Sequence, residues 1–401
     1  MNVTTAREAE GAGRLARPVV SYLAAAAAIA TSTSYAVQPE LAAISRDLGI
    51  SLAWVGAASA SAIVGYLVGL AMLVPLVDFV AAPHLLFVQL LSLAAGLLVA
   101  ATARDVIGLA LGLFVSGVCA STGAQMSTLA SKHAAPDRRG TAVGLVTAGI
   151  SAGILLGRIV GGAVADQVGW RLMLTGFATA CAICAVVALF VLPRGLIEPS
   201  VSYLSTLRSG PRLLVTDRIL RVAAAAGALW FFAFSLIWLS LSVALSLPPM
   251  NLSPTVIGLY SLAGLLGIVA TPIAGRLTDR HGATRVIVVG LAISVASAVV
   301  MVSVLDAPVP MLIALGVFDA GLFAAQVANQ SRVLAIDPQA PARYNSAYMV
   351  VYFVGGSLGT GIGGGIVTRF GWPVAAATAA GAILAAAAIV LVSSTRREAD
   401  L

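Results

Sequence analysis

Thr141–Asp166, TAVGLVTAGISAGILLGRIVGGAVAD, is apolar or small at nearly every position, and Gly144, Gly149, Gly153, Gly157, Gly161 and Gly162 recur about every four residues. On a helix that spacing puts most of the glycines on one side, where a neighbouring helix can approach almost to backbone contact. Arg158 breaks the pattern. A guanidinium near a bilayer centre costs roughly 2.5–3.5 kcal/mol even on the lenient insertion scale, so it needs water, a partner or a ligand.

The rest of the chain has the same character. Of 401 residues, 60% are hydrophobic and 10% charged, against about 25% charged in a soluble domain. Apolar runs of about twenty residues recur, each long enough to cross about 30 Å of hydrocarbon as a helix. Alternation with a period of two is absent, which argues against a barrel. Spans are predicted at 18–40, 53–77, 84–103, 105–131, 138–164, 171–192, 219–246, 254–277, 284–305, 308–333, 343–366 and 372–393. The first follows Arg7, Arg14 and Arg17, and Ser34-Tyr35-Ala36 imitates a cleavage site. With eleven further spans it reads as an uncleaved helix.

Basic residues set the expected orientation. With both termini cytoplasmic, 18 of the 23 Lys and Arg fall on the inner side. Arg46, Arg104, Arg171 and Arg369 fall outside, and Arg158 lies within the membrane. That bias predicts an inner-membrane, multi-pass protein. It also explains the net charge of +7 without a nucleic-acid partner.

The chain repeats itself. Val55-Gly56 recurs as Ile257-Gly258, Gly153, Gly157 and Gly161 as Gly355, Gly359 and Gly363, and Gly169-Trp170 as Gly371-Trp372, all 202 residues on. Asp78 and Asp279, and Ala124-Gln125 and Ala325-Gln326, are 201 apart. The expected organisation is a tail at 1–17, a six-helix bundle at 18–192, a cytoplasmic linker at 193–218, a second six-helix bundle at 219–393 and a tail at 394–401. The fold class is therefore an all-α membrane protein of twelve transmembrane helices in two parallel six-helix repeats.

Gly275-Arg276-Leu277-Thr278-Asp279-Arg280-His281-Gly282-Ala283-Thr284-Arg285 resembles the signature loop of the major facilitator superfamily. In that family the loop latches the inner gate. The resemblance thus implies gating roles for Asp78, Gly275, Asp279, Arg280 and Arg285. Gly275 is expected to permit a close helix contact, Asp279 to accept charge-assisted hydrogen bonds at a helix end, and Arg280 and Arg285 to pair across to the opposite bundle. The first-half copy, Val74–Leu85, keeps Asp78 but lacks the glycines and arginines. Gly153-Ile154-Leu155-Leu156-Gly157-Arg158-Ile159-Val160-Gly161-Gly162 resembles the family's exporter motif, Gly-x-x-x-Gly-Pro-x-x-Gly-Gly, with Arg158 at the proline position. Gly153, Gly157 and Gly161 would then belong to the gating helix. Asn329-Gln330-Ser331-Arg332, followed by Arg343-Tyr344-Asn345, is similar to an arabinose-efflux-permease-like branch near the drug:proton antiporters.

Among candidate chemical groups, Asp319 is the one carboxylate placed well inside a predicted span, with Glu40 assigned to an outer end. Asp319, Gln326 and Gln330 share one helical face, as do Ser121, Gln125, Thr128 and Lys132. In the family, helices 1, 4, 7 and 10 line the cavity, so the two stripes would face each other. Tyr35 and Gln38 of helix 1 and Trp230, Phe234 and Trp238 of helix 7 would complete a substrate site. Other readings stay open: the stripes as glue between helices, the aromatics as lipid-facing, and Asp319 with Arg158 as a structural ion pair. Cys181, Cys184 and Cys119 read as small packing residues, and His84, His133 and His281 fall in loops.

No phosphate-cradling motif, metal-ligand cluster or nucleophile–His–acid set is present, so the expectation is neither an enzyme nor an ATP-driven pump, with no cofactor and no metal. The expected partners are a small-molecule substrate, protons and the bilayer, with the chain working as a monomer. A buried carboxylate that alternates between apolar and cationic surroundings takes up and releases a proton in each cycle, which assigns proton coupling to Asp319. Efflux by antiport is the first reading. Organic-anion uptake or exchange with Arg158 as the anion site is the second, and a non-transporting sensor a remote third.

Overall fold

A computed structural model describes residues 17–134, 138–193, 212–337 and 341–399. Most of the expected linker 193–218, residues 1–16 of the expected tail 1–17 and residues 400–401 of the expected tail 394–401 lie outside the described residues. The described residues form helices and turns without strands. Twelve helices are long and apolar enough to cross a membrane. We number them spans 1 to 12: Pro18–Leu48, Leu52–Asp78, Ala82–Thr102, Val106–Lys132, Arg139–Val168, Trp170–Val191, Arg218–Ser246, Pro254–His281, Ala283–Met301, Pro308–Leu334, Arg343–Phe370 and Trp372–Ser393.

Span 1 differs most from its predicted extent of 18–40. The α-helix stops at Tyr35, winds through a 3-10 turn at Gln38–Glu40 and resumes as Leu41–Leu48. Pro39 has no N–H to continue the ladder, so the chain tightens and restarts rather than ending. Gly49, at φ 65°, then closes the segment. Span 2 is handled similarly. Its α-helix ends at Met72, and Val74–Asp78 follows as 3-10 winding around Pro75.

The sequence repeat is a repeat of contacts. A Cβ added at Gly153 or Gly157 would lie 2.4 Å from the Ala28 carbonyl or 2.5 Å from the Ser32 carbonyl of span 1. In the second half, Gly355 and Gly359 stand in the same relation to the Ala228 and Phe232 carbonyls of span 7, at 2.0 and 2.2 Å. Span 5 thus lies on span 1 as span 11 lies on span 7. Without a hydrophobic force between helices in lipid, such backbone approach supplies the dispersion that holds them. The turns repeat as well: Gly169 and Gly371 both adopt left-handed φ, at 86° and 79°.

The two halves meet along span 2 against span 11 and span 5 against span 8. The closest approaches cluster at one end. A Cβ on Gly162 would sit 2.3 Å from the Pro254 carbonyl, one on Gly258 2.4 Å from the Arg158 carbonyl, and one on Gly364 3.0 Å from the Leu52 carbonyl. Thr255 Oγ1 donates to Asp166 Oδ2 across the same seam at 2.7 Å. We refer to this as the closed end. It carries Arg46 and Arg171, which the basic-residue bias assigns to the outside.

Candidate functional site

Just below the closed end a cavity of about 200 Å³ lies between the halves. Spans 1, 2 and 5 supply Tyr35, Gln38, Ser59, Tyr66 and Arg158, and spans 7 and 11 supply Phe231, Phe234, Trp238 and Phe353. Among the described residues Arg158 is the single charged side chain in its lining. It is 4% exposed. Its Nε donates to Gln38 Oε1 at 2.7 Å, while its Nη2 has no hydrogen-bond partner. The guanidinium carbon lies 4.0 Å from the centroid of the Trp238 ring and 4.9 Å from that of Tyr35. Two aromatic faces and one amide therefore hold the fork in place.

Trp238 has a second duty. Its Nε1 donates to Asp319 Oδ1 at 3.3 Å. Asp319, on span 10, is 1% exposed and faces the protein interior. No ion pair within 4.0 Å joins Asp319 to Arg158. Instead the two groups meet on one indole, the acid at its edge and the base over its face. A direct structural ion pair, one of the open readings, is therefore not what this arrangement contains. A Cβ on Gly264 would lie 3.7 Å from Asp319 Oδ2, so span 8 also packs beside the carboxyl.

The other candidates divide into three groups. Trp230 Nε1 and Tyr348 OH both donate to Gln326 Oε1, at 3.3 and 2.6 Å, and Gln330 Nε2 donates to Asn345 Oδ1 at 3.0 Å. These bonds tie span 10 to spans 7 and 11 of its own half. Trp230, Phe234 and Trp238 do not face lipid: the two tryptophans are buried, and Phe234 and Trp238 line the cavity.

Ser121 and Gln125, expected to face span 10, are turned toward span 2. Ser121 Oγ bonds to the Val118 carbonyl and would meet a Cβ on Gly69, and Gln125 Nε2 donates to the Leu73 carbonyl at 2.5 Å. The break before Pro75 leaves that carbonyl at a helix end, where it takes a side-chain donor. Lys132, on the same stripe, pairs with Asp78, and both are about half exposed.

The signature loop is open to solvent. Asp279, Arg280 and Arg285 are exposed, with no hydrogen bond or ion pair among the described residues. A Cβ at Gly275 would meet nothing within 4 Å, so the close contact expected there is absent. Gly161, like Gly153 and Gly157, lies against span 1, with its Cβ position 2.7 Å from the Ala36 carbonyl.

Several residues in or near the cavity carry no role in the sequence analysis. Glu40 is 1% exposed, with Oε1 unpartnered, which corrects its placement at a span end. The continuation of span 1 beyond Pro39 buries it. The Tyr66 and Phe353 rings, one from each half, meet tilted at 43° with centroids 4.9 Å apart. Ser59, 8% exposed, lines the cavity with an unpartnered Oγ. Cys119, Cys181 and Cys184 are free thiols. No cluster of three or more metal-ligating residues occurs among the described residues.

The comparisons with known proteins agree with one another. The chain is 32% identical to the putative uncharacterized transporter YgaY of Escherichia coli (strain K12) over 382 residues, 94% of each protein. It is 28% identical to the probable transporter SCO4007 of Streptomyces coelicolor, covering 90% of this chain and 84% of that one. Among solved structures, a bacterial homolog of the human lysosomal transporter Spinster, in an inward-facing and unoccupied conformation, superposes with a TM-score of 0.72 at 14% identity, covering 94% and 95% of the two chains. The nucleoside transporter NupG superposes with a TM-score of 0.74 at 13% identity, covering 93% and 98%. At those identities the likeness speaks for the fold alone. The family profile described as Major Facilitator Superfamily matches residues 23–249 and 224–400, and with both halves matched, this chain is an integral membrane transporter of the major facilitator superfamily.

Proposed function

We propose that this protein is a proton-coupled secondary transporter of a small organic molecule, with Asp319 carrying the proton and the Arg158 cavity holding the substrate. The observation that carries the reading is the shared indole: Trp238 bonds to Asp319 through its N–H and stacks under Arg158. Whatever changes the charge of one group changes the field at the other through a low-dielectric site. The two groups also come from opposite halves, so rocking the halves apart separates them and gives each a second environment. With the closed end outside, as the basic residues predict, the present state opens toward the cytoplasm.

Two couplings follow. Efflux in exchange for protons is supported by the resemblance of span 5 to the exporter motif. Carriage of an organic anion together with a proton is favoured by a specific observation, the unpartnered Nη2 of Arg158 in the cavity wall. An anion there places a second negative charge near Asp319, and protonation of Asp319 relieves it. Proton and anion then bind together and travel in the same direction.

The test is proton movement in proteoliposomes under an imposed pH gradient, read with an entrapped pH dye while organic solutes are added one at a time. Asp319→Asn is expected to abolish solute-dependent proton movement while leaving solute counterflow, which needs no proton, in place. Proton movement equal to the wild type in this variant overturns the assignment.

A further inference from the structure

The cavity states more about its occupant than a charge sign. Resting on the proton-coupled reading above, we propose that it takes a compact aromatic monocarboxylate, with the carboxylate on Arg158 and the ring among Tyr66, Phe231, Phe234 and Phe353. Three features carry this. Among the described residues the lining contains one cation and neither Asp nor Glu, and Asp319 stands behind Trp238, so a single carboxylate meets its counter-charge in the wall while a second anionic group finds none.

The second is donor placement. Two side-chain donors in the wall, Arg158 Nη2 and Ser59 Oγ, are at least nine-tenths buried and lack partners. Arg158 is already anchored through Nε, so its free nitrogen is preorganised and loses little side-chain freedom on binding. A buried donor left unmade is costly, and a carboxylate oxygen is the acceptor that recovers most.

The third is shape. Tyr66 and Phe353 lie 4.9 Å apart, and Phe231 meets Phe353 edge-on at 5.3 Å and stacks with Phe234 at 5.9 Å. These rings line one cavity at mixed tilts, the offset and edge-on geometries in which another ring gains beyond simple burial. The volume of about 200 Å³ is below the range of about 300–1,000 Å³ found for drug-sized ligands, which selects a single ring with a short polar arm.

The experiment is a binding titration of the purified full-length protein, read by quenching of tryptophan fluorescence, with benzoate, benzylamine, benzyl alcohol, phthalate and chloride as probes. Benzoate is expected to bind, with the amine, the alcohol and the dianion at least tenfold weaker and chloride failing to compete. Arg158→Lys should weaken benzoate by about 10- to 100-fold, the loss expected for one charge-assisted bond in a fixed fork. Ser59→Ala should weaken it by about 3- to 10-fold and Phe234→Leu by a similar factor. The Ser59 and Phe234 variants keep the test decisive if the arginine variant fails to fold. Benzylamine binding as tightly as benzoate, chloride competing at equal concentration, or benzoate affinity unchanged in all folded variants overturns the proposal.

The two readings fail separately. Asp319-dependent proton movement with no preference for benzoate sinks the substrate class alone. Arg158-dependent benzoate binding with proton movement intact in Asp319→Asn sinks the coupling alone.

Discussion

Gly258→Ala isolates the seam at the closed end. The new methyl carbon would sit 2.4 Å from the Arg158 carbonyl oxygen and 3.3 Å from Ile159 Cα, and the first partner is main chain that cannot swing away. Since real Cβ contacts under 3.0 Å essentially do not occur, span 8 and span 5 must part by at least about 0.6 Å. Over-packing of that kind costs about 1–3 kcal/mol, which as a bias on a two-state equilibrium is about 5- to 150-fold. The cost falls on the state in which the halves touch here, so the population moves toward the state open at this end.

The repeat supplies the control. Gly56 is the mate of Gly258, yet its Cβ would first meet the tip of Leu239 at 3.2 Å and the next backbone atom at 3.7 Å. Gly56→Ala should therefore move the equilibrium by less than about 1 kcal/mol, within the range of tolerated core changes. Spin labels introduced at Arg46 and Ser253, which border the seam from opposite halves, would report the separation by pulsed dipolar spectroscopy. Gly258→Ala should show a longer-distance population that wild type and Gly56→Ala lack. Superimposable distributions for all three folded proteins, or an equal shift in both alanine variants, would refute the argument.

Two further perturbations separate the groups at the site. Trp238→Phe keeps a ring under Arg158 but removes the donor to Asp319. A hydrogen bond to an ionised group is worth about 1.5–3 kcal/mol, so gradient-driven flux should fall at least tenfold while benzoate affinity changes by less than about threefold, measured by flux and titration on the same preparation. Lys132→Ala removes the pair with Asp78, but with both side chains about half exposed the loss should stay under about 1 kcal/mol, visible as a small change in thermal unfolding midpoint.

The spans were legible because length and hydropathy are local properties, and the twofold plan because Gly153, Gly157 and Gly161 have counterparts at Gly355, Gly359 and Gly363. What stayed hidden was azimuth. Spacing shows that Ser121 and Gln125 share a face, but only the break at Pro75 in another helix decides that this face turns to span 2. Glu40 was misplaced because a proline reads as a stop, and here it is a joint inside a longer span. The meeting of Arg158 and Asp319 on Trp238 joins three spans from two halves, a relation that no periodicity within one helix encodes. The signature loop was recognisable by its residues, but Gly275 lies near the end of span 8 away from Gly258, where a Cβ would meet nothing within 4 Å.

Main chain against main chain at the closed end has a mechanical consequence. Apart from Thr255 and Asp166, the approaches described there are made by glycines against carbonyl oxygens, so salt, which screens exposed charges over about 8 Å, has little to act on. What such a joint does feel is the lateral pressure and thickness of the surrounding lipid, because dispersion between close backbones dies off within an ångström or so of separation. Evolution can loosen a hinge of this kind by adding a single methyl, but having already reached hydrogen at those positions, it has nothing smaller to put there.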